Sequence, residues 1–400
     1  MPRPDVALIA PYPAPGVRHG GSSGVASYTA NLAHALSIHG ADVAVVAPFD
    51  GAAPSDHRDG CVRVQRRFGL GPRGLDRAVR AACATGARTV HVQHETFLYG
   101  GPAAVPGLVG AMRRLRRGHP ASVVTMHHVV AAGAVDGDFT RLHRVRAPAA
   151  VARAGLAVVR ETLRRHADAV VVHEPAFAAA VPGATVVPHG VEPARPVDRA
   201  AARAALGVDD ERLCVLCFGF LAPYKGLEVA IAGAAEAGDA VALVVAGGAH
   251  PRVGEAYVRE LQAMGDHVRF TGHVPDAEVG PWFAAADLAL FPYPQPVSSS
   301  GALALALAHD TPVLLSPELA ACAGAPATLT APREAGALGR ALRALAADPT
   351  LLGELGTAAE AMAADRSWDA VAERHLALYE EVAGATRARP RVIDATEVVA

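Results

Sequence analysis

Cys214-Val215-Leu216-Cys217-Phe218, followed by Gly219-Phe220-Leu221-Ala222-Pro223-Tyr224-Lys225-Gly226-Leu227, reads as a buried strand that ends at a glycine and opens a helix. Five apolar residues without polar alternation fit a strand covered on both faces, the signature of a parallel sheet. The loop also holds the only lysine in 400 residues; all the rest of the 37 basic residues are arginine. An ammonium is a compact, mobile point charge, and a planar guanidinium does not replace it against a phosphate. A cation on a loop entering a helix N-terminus suits anion binding. The competing explanation is GC-rich coding drift that removed the other lysines and spared this one by chance.

The same alternation extends in both directions. Upstream, strands are expected at 6–10, 43–47, 90–93, 123–126, 169–172 and 185–187, with helices at 25–38, 75–84, around 112–117 and at 149–166. Downstream, strands are expected at 214–218, 241–246, 268–270, 288–291 and 313–315. Between the halves, Pro188-His189-Gly190-Val191-Glu192-Pro193-Ala194-Arg195-Pro196 reads as an interdomain linker. After Ser367, a candidate N-cap, apolar residues at 368, 371, 372, 375/376 and 379 have helical spacing. The pattern predicts two doubly wound, Rossmann-like α/β domains facing each other across a cleft, with ligands beyond the strand carboxyl ends. The expected divisions are 1–190, 191–365, a helix over 366–384 and a tail over 385–400.

Composition narrows the class. Hydrophobic residues make up 51% of the chain and charged residues 19%, as in a soluble globular protein with room for two cores. A net charge of −2 gives no case for a polyanionic partner, so nucleic acid is disfavoured. Five scattered cysteines (Cys61, Cys83, Cys214, Cys217, Cys322) suit a reducing compartment better than a disulfide framework. The first strand leaves no room for a signal peptide, and no long apolar span is present, so a cytoplasmic location is expected.

Several loops carry candidate chemistry. Arg18-His19-Gly20-Gly21-Ser22-Ser23-Gly24 lies between the first strand and first helix, where Gly21 and Gly24 let backbone amides approach an anion. It lacks the dinucleotide-binding glycine spacing, and a plain turn is the alternative. Pro294-Gln295-Pro296-Val297-Ser298-Ser299-Ser300-Gly301 precedes an Ala/Leu helix. Hydroxyls of Ser298, Ser299 and Ser300 and the amide of Gly301 can meet phosphate or sugar, although serines also simply cap helices. Strand ends place His91, Gln93, His94, Glu95, His127 and His128 near the cleft. No metal is expected from them, because strand neighbours at odd spacing face opposite sides. Asp136-Gly137-Asp138 reads as solvent-facing loop carboxylates, and Cys214 and Cys217 as core thiols. Arg113, Arg114, Arg116 and Arg117 form a basic helix face, either simply solvated or in weak peripheral contact with anionic lipid.

With these pieces placed, the chain resembles the retaining GT-B glycosyltransferases of family 4, also called glycosyltransferase group 1. The resemblance rests on Gly24-Val25-Ala26-Ser27-Tyr28, Thr125-Met126-His127, Pro188-His189-Gly190-Val191, Tyr224-Lys225-Gly226-Leu227, Val268-Arg269-Phe270-Thr271-Gly272, Ala286-Asp287 and Thr311-Pro312-Val313, in that order. Trp368-Asp369-Ala370-Val371-Ala372-Glu373-Arg374 is similar to the family's last helix, which crosses back to the first domain. Two departures stand out. Phe220 occupies the place of a usual second diphosphate-binding arginine. The usual Glu-x7-Glu pair falls on Val297 and Leu305, neither of which accepts a hydroxyl proton.

The resemblance implies an acceptor-side first domain and a nucleotide-sugar-binding second domain. It implies a metal-independent hexosyltransferase-type enzyme with no cofactor beyond its nucleotide-diphosphate sugar. Lys225 and His127 are then the catalytic candidates, with Gly21, Gly24, Lys225, Ser298, Ser299, Ser300 and Gly301 around the diphosphate. His94, Glu95 and His128 are acceptor or sugar-side candidates. The acceptor is a small polar molecule, natural product, lipid or glycan, and the Ala/Arg-rich composition points to a high-GC bacterium. The missing glutamates keep alternatives open: a silent nucleotide-sugar-binding partner, or a pseudo-glycosidic coupling enzyme or phosphorylase on the same scaffold.

Overall fold

The computed structural model describes residues 3–15, 24–51, 53–96, 98–117, 120–130, 133, 135–142, 145–208, 210–250, 253–295 and 299–387. The expected sites Gly21 and Ser298, and Val297 with them, lie outside the described residues.

Runs of Val, Leu, Ile and Ala form two separate sheets. The first contains β1 (Val6–Ile9), β2 (Val43–Pro48), β3 (Ser55–Asp59), β4 (Val62–Phe68), β5 (Thr89–His94), β6 (Ala121–Met126), β7 (Ala169–Val172) and β8 (Thr185–Val186). Its order is β3-β4-β2-β1-β5-β6-β7-β8, parallel throughout except for the antiparallel β3–β4 pair at one edge. The second contains β9 (Leu213–Phe218), β10 (Val241–Ala246), β11 (Val268–Gly272), β12 (Leu288–Phe291) and β13 (Val313–Leu315), ordered β11-β10-β9-β12-β13 and all parallel. In both sheets the chain winds outward one way from its first strand and then returns to the other side. That reversal opens a crevice between β1 and β5, and another between β9 and β12, at the strand carboxyl ends.

Helices cover both faces of each sheet, which is why the strands are apolar on both sides. The last helix, Trp368–Arg387, runs three residues past the expected end at 384. Val371, Ala372, Leu378, Tyr379, Val382 and Ala383 on it are buried in the first domain's core beside Val6, Leu8 and Leu36. Each large apolar side chain so covered contributes about 1.5–3 kcal/mol, enough to hold the helix across the domain boundary.

The hinge side of the cleft is tightly knit. Gly190 lies against Trp368, and a Cβ there would sit 2.4 Å from the indole, so the linker can pass only as glycine. The Val191 amide donates to Arg366 O at 2.7 Å, and Asn31 Nδ2 donates to Glu192 Oε2 at 3.1 Å. The helix Pro317–Ala323 packs on the first-domain helix Pro175–Ala180, with Cys322 inside the first domain's core.

Candidate functional site

The quoted stretch folds as read: β9 ends, Pro223–Lys225 forms a single 3-10 turn, and the helix Leu227–Ala237 begins. Gly226 makes the turn possible. Its φ is +64°, and a Cβ there would lie 2.1 Å from Pro292 O, so the lysine loop rests directly on the backbone leaving β12. This seats Lys225 at the switch point of the second sheet.

Lys225 is only 9% exposed, and no carboxylate among the described residues pairs with it. Its Nζ donates to the phenolic oxygen of Tyr293 and lies 4.5 Å from the centre of that ring. Burial lowers its pKa to about 8, so the ammonium remains charged at neutral pH. The recess around it has a volume of about 10 Å³, room for roughly one water. A buried cation without a counter-ion is costly and is stabilised by an arriving anion.

The second wall is the helix Gly301–Ala308. Ser300 caps it, its Oγ accepting from the Leu303 amide at 3.2 Å, and the same Oγ lies 3.3 Å from Tyr293 Oη. Lys225 and Ser300, expected on two walls of one crevice, are therefore joined through Tyr293, which the sequence reading did not single out. A polar side chain two residues beyond an apolar strand at a switch point was the available signal. Ser299 has a buried hydroxyl beside the carboxyl of Glu174, a first-domain residue. Glu174 is buried, 3.7 Å from Arg366, and burial holds its pKa above the usual carboxylate value. Arg366 in turn donates to Ala323 O at 2.7 Å.

The departures behave as apolar surface. Phe220 is 51% exposed with its ring edge-on to His250, and Leu305 is 37% exposed. Gly24 begins the helix Gly24–Ile38, with nothing within 4 Å of where a Cβ would stand.

In the first domain, His127 sits in a continuous polar chain. His173 Nδ1 lies 3.0 Å from Val187 O, and its Nε2 lies 3.1 Å from His127 Nδ1. His127 Nε2 lies 2.7 Å from Gln93 Oε1, and Gln93 Nε2 lies 3.3 Å from His91 Nε2. His91 meets Thr125 and Tyr379, each at 2.7 Å. Both ring nitrogens of half-buried His127 are thus spent within the protein, and its ring stands edge-on to Tyr28. Burial lowers the pKa of His91, His127 and His173, so these three are neutral. His94 is buried and lowered to about 4, whereas His128 is half-buried; both line a small apolar recess with Met126, Val129 and Leu156. Burial also lowers the pKa of His128, partly offset by the half-buried carboxylate of Glu95.

The remaining motifs make contacts within the protein. Asp136 accepts from the Phe139 amide at 2.8 Å at the start of the helix Gly137–Leu142. Cys214 and Cys217 are buried thiols pushed up to about 11 and about 12. On the basic helix Val105–Arg117, Arg114 pairs with Asp76 and Arg116 donates to Arg165 O. No helix among the described residues is long and apolar enough to cross a membrane.

Residues 212–348 match the family model described as "Glycosyl transferases group 1". No curated protein matches the sequence. Solved structures resemble the fold over nearly its whole length. The sucrose-phosphate synthase of Thermosynechococcus elongatus is 22% identical, with a TM-score of 0.64 over 95% of this chain and 99% of that one. Anabaena HepE in complex with UDP is 17% identical, with a TM-score of 0.66 over 94% and 100%. The catalytic domain of Arabidopsis thaliana starch synthase IV, bound to ADP and acarbose, is 15% identical, with a TM-score of 0.63 over 95% and 99%. The chain is a GT-B protein by fold, and its second sheet lies within a glycosyltransferase group 1 match.

Proposed function

We propose that this protein is a retaining glycosyltransferase of family 4 that moves a sugar from a nucleotide-diphosphate sugar to a hydroxyl of a small polar, natural-product, lipid or glycan acceptor. The observation that carries the proposal is Lys225: a buried ammonium, with no carboxylate partner among the described residues, at the switch point and linked to the first turn of a helix. That arrangement meets the charge that grows on a leaving diphosphate, the largest electrostatic lever for such a reaction. The group 1 match over residues 212–348 and the UDP and ADP complexes among the fold relatives support a nucleotide ligand on this domain.

In this mechanism the diphosphate lies across the β9–β12 crevice, and Lys225 and the Ser300–Gly301 helix start take up its charge without a divalent metal. The acceptor attacks from the face the diphosphate leaves, and the departing phosphate oxygen takes the acceptor's proton. His127 offers the donor sugar its ring edge, because its nitrogens are engaged. His94, Glu95 and His128 stand on the acceptor side. The test is calorimetry against a panel of nucleotides and nucleotide sugars, with product capture by mass spectrometry. Transfer or slow donor hydrolysis supports the proposal; no binding to any nucleoside diphosphate sinks it.

Phe220 and Leu305, apolar where the family carries charge, favour a second reading: a GT-B protein that binds a nucleotide sugar without transferring it. Tight donor binding with neither hydrolysis nor transfer would select that reading.

A further inference from the structure

We infer that Tyr293 is the positioning residue of this site: it holds the Lys225 ammonium in place and couples it to the cap of the Gly301–Ala308 helix. The inference rests on the donor site proposed above for its consequence, but not for its geometry. Lys225 Nζ–H donates to Tyr293 Oη. Burial keeps the phenol neutral, so its proton is available to Ser300 Oγ at 3.3 Å. Ser300 Oγ also accepts the Leu303 amide at 3.2 Å. Donation therefore runs one way, from ammonium to phenol to hydroxyl, and each oxygen uses its lone pairs without conflict.

The ring contributes separately. Its centre lies 4.5 Å from Nζ, within the range of a cation–π contact. Among the described residues, the other titratable groups facing the ammonium are the neutral phenol of Tyr224 on its own loop and the neutral thiol of Cys217 on β9. Tyr293 is thus the anchor that keeps a flexible four-carbon side chain in one place before the diphosphate arrives. Preorganisation of this kind raises affinity and turnover by removing an ordering cost.

The chain's single lysine makes the test direct. Lysine labelled with ¹³C at Cε and ¹⁵N at Nζ gives one Nζ signal, which can be titrated in wild type, Tyr293→Phe and Tyr293→Leu. Tyr293→Phe keeps the ring and removes the acceptor, so the titration midpoint moves to lower pH; Tyr293→Leu removes both, and the ring-current shift of the lysine Cε protons falls to what the more distant Tyr224 ring supplies. In wild type, those protons show through-space contacts to the Tyr293 ring, a readout that needs no variant to fold. UDP and ADP are the binding probes. Whichever binds wild type binds Tyr293→Phe about tenfold more weakly, as expected for one charge-assisted hydrogen bond. The alkaline limb of the rate profile shifts down with the lysine midpoint. An unmoved midpoint, or no contact between the lysine and the ring, overturns the assignment. If wild type binds neither nucleotide and transfers nothing, the transferase reading fails, while the lysine signal still decides the role of Tyr293.

Discussion

Replacing Lys225 with methionine separates chemistry from architecture. Methionine keeps an unbranched chain of similar length and deletes the charge. The side chain is 9% exposed and has no carboxylate partner among the described residues, so its removal relieves an uncompensated buried cation. Folding stability should therefore hold within about 1 kcal/mol or rise, since a buried charge gives way to an apolar group. Turnover should move the other way. Loss of one preorganised donor to a developing oxyanion costs about 3–4 kcal/mol, or roughly 10²–10³ in kcat. Lys225→Arg fails for another reason: two more heavy atoms cannot enter a recess of about 10 Å³, and overpacking of about 1–3 kcal/mol follows. The assay is initial rate with the donor identified by the panel, alongside thermal melts with and without nucleotide. Near-normal turnover in Lys225→Met would refute the catalytic role, and a large drop in its melting temperature would make the ammonium structural.

Further expectations follow from the same geometry. Lys225 titrates at about 8, so turnover should fall as pH rises through that value, and a flat rate from about pH 7 to about pH 9.5 would contradict this. Gly226→Ala puts a Cβ 2.1 Å from Pro292 O at positive φ and should cost roughly 2–4 kcal/mol of stability in denaturant melts. Burial raises the folded pKa of Glu174 above its unfolded value of about 4.3, so its contribution to stability is full below that value and is lost as pH rises through the folded pKa. Glu174→Gln should therefore gain stability relative to wild type between about pH 4 and about pH 8; an equal offset at both would exclude the effect. His94, His173 and His375 are lowered to about 4, about 3 and about 4, so their stability contribution is present above about 6.5 and lost as pH falls toward those values. Acid melts should show a slope steeper than one proton below about pH 6.5.

Local pattern determined much of this protein. Apolar runs on either side of the second sheet's switch point placed β9 and β12, and loop chemistry placed Lys225 and the Ser300 cap, because strands, turns and caps are written in near neighbours. The β3–β4 pair escaped notice: β3 is Ser55-Asp56-His57-Arg58-Asp59, and in β4 Val62, Val64 and Phe68 alternate with polar side chains. Even the buried member Arg66 is polar, satisfied by Pro13 O at 2.7 Å. Only tertiary structure could show that Tyr293 accepts a hydrogen bond from the lysine, 68 residues away in sequence, or that Glu174 meets Ser299 and Arg366 across the hinge. The histidine chain likewise depends on strands β5, β6 and β7 lying side by side, which brings residues 34 and 46 apart into contact. Hydrogen bonds between residues distant in sequence carry no periodicity, so they become visible only once the sheets are assembled.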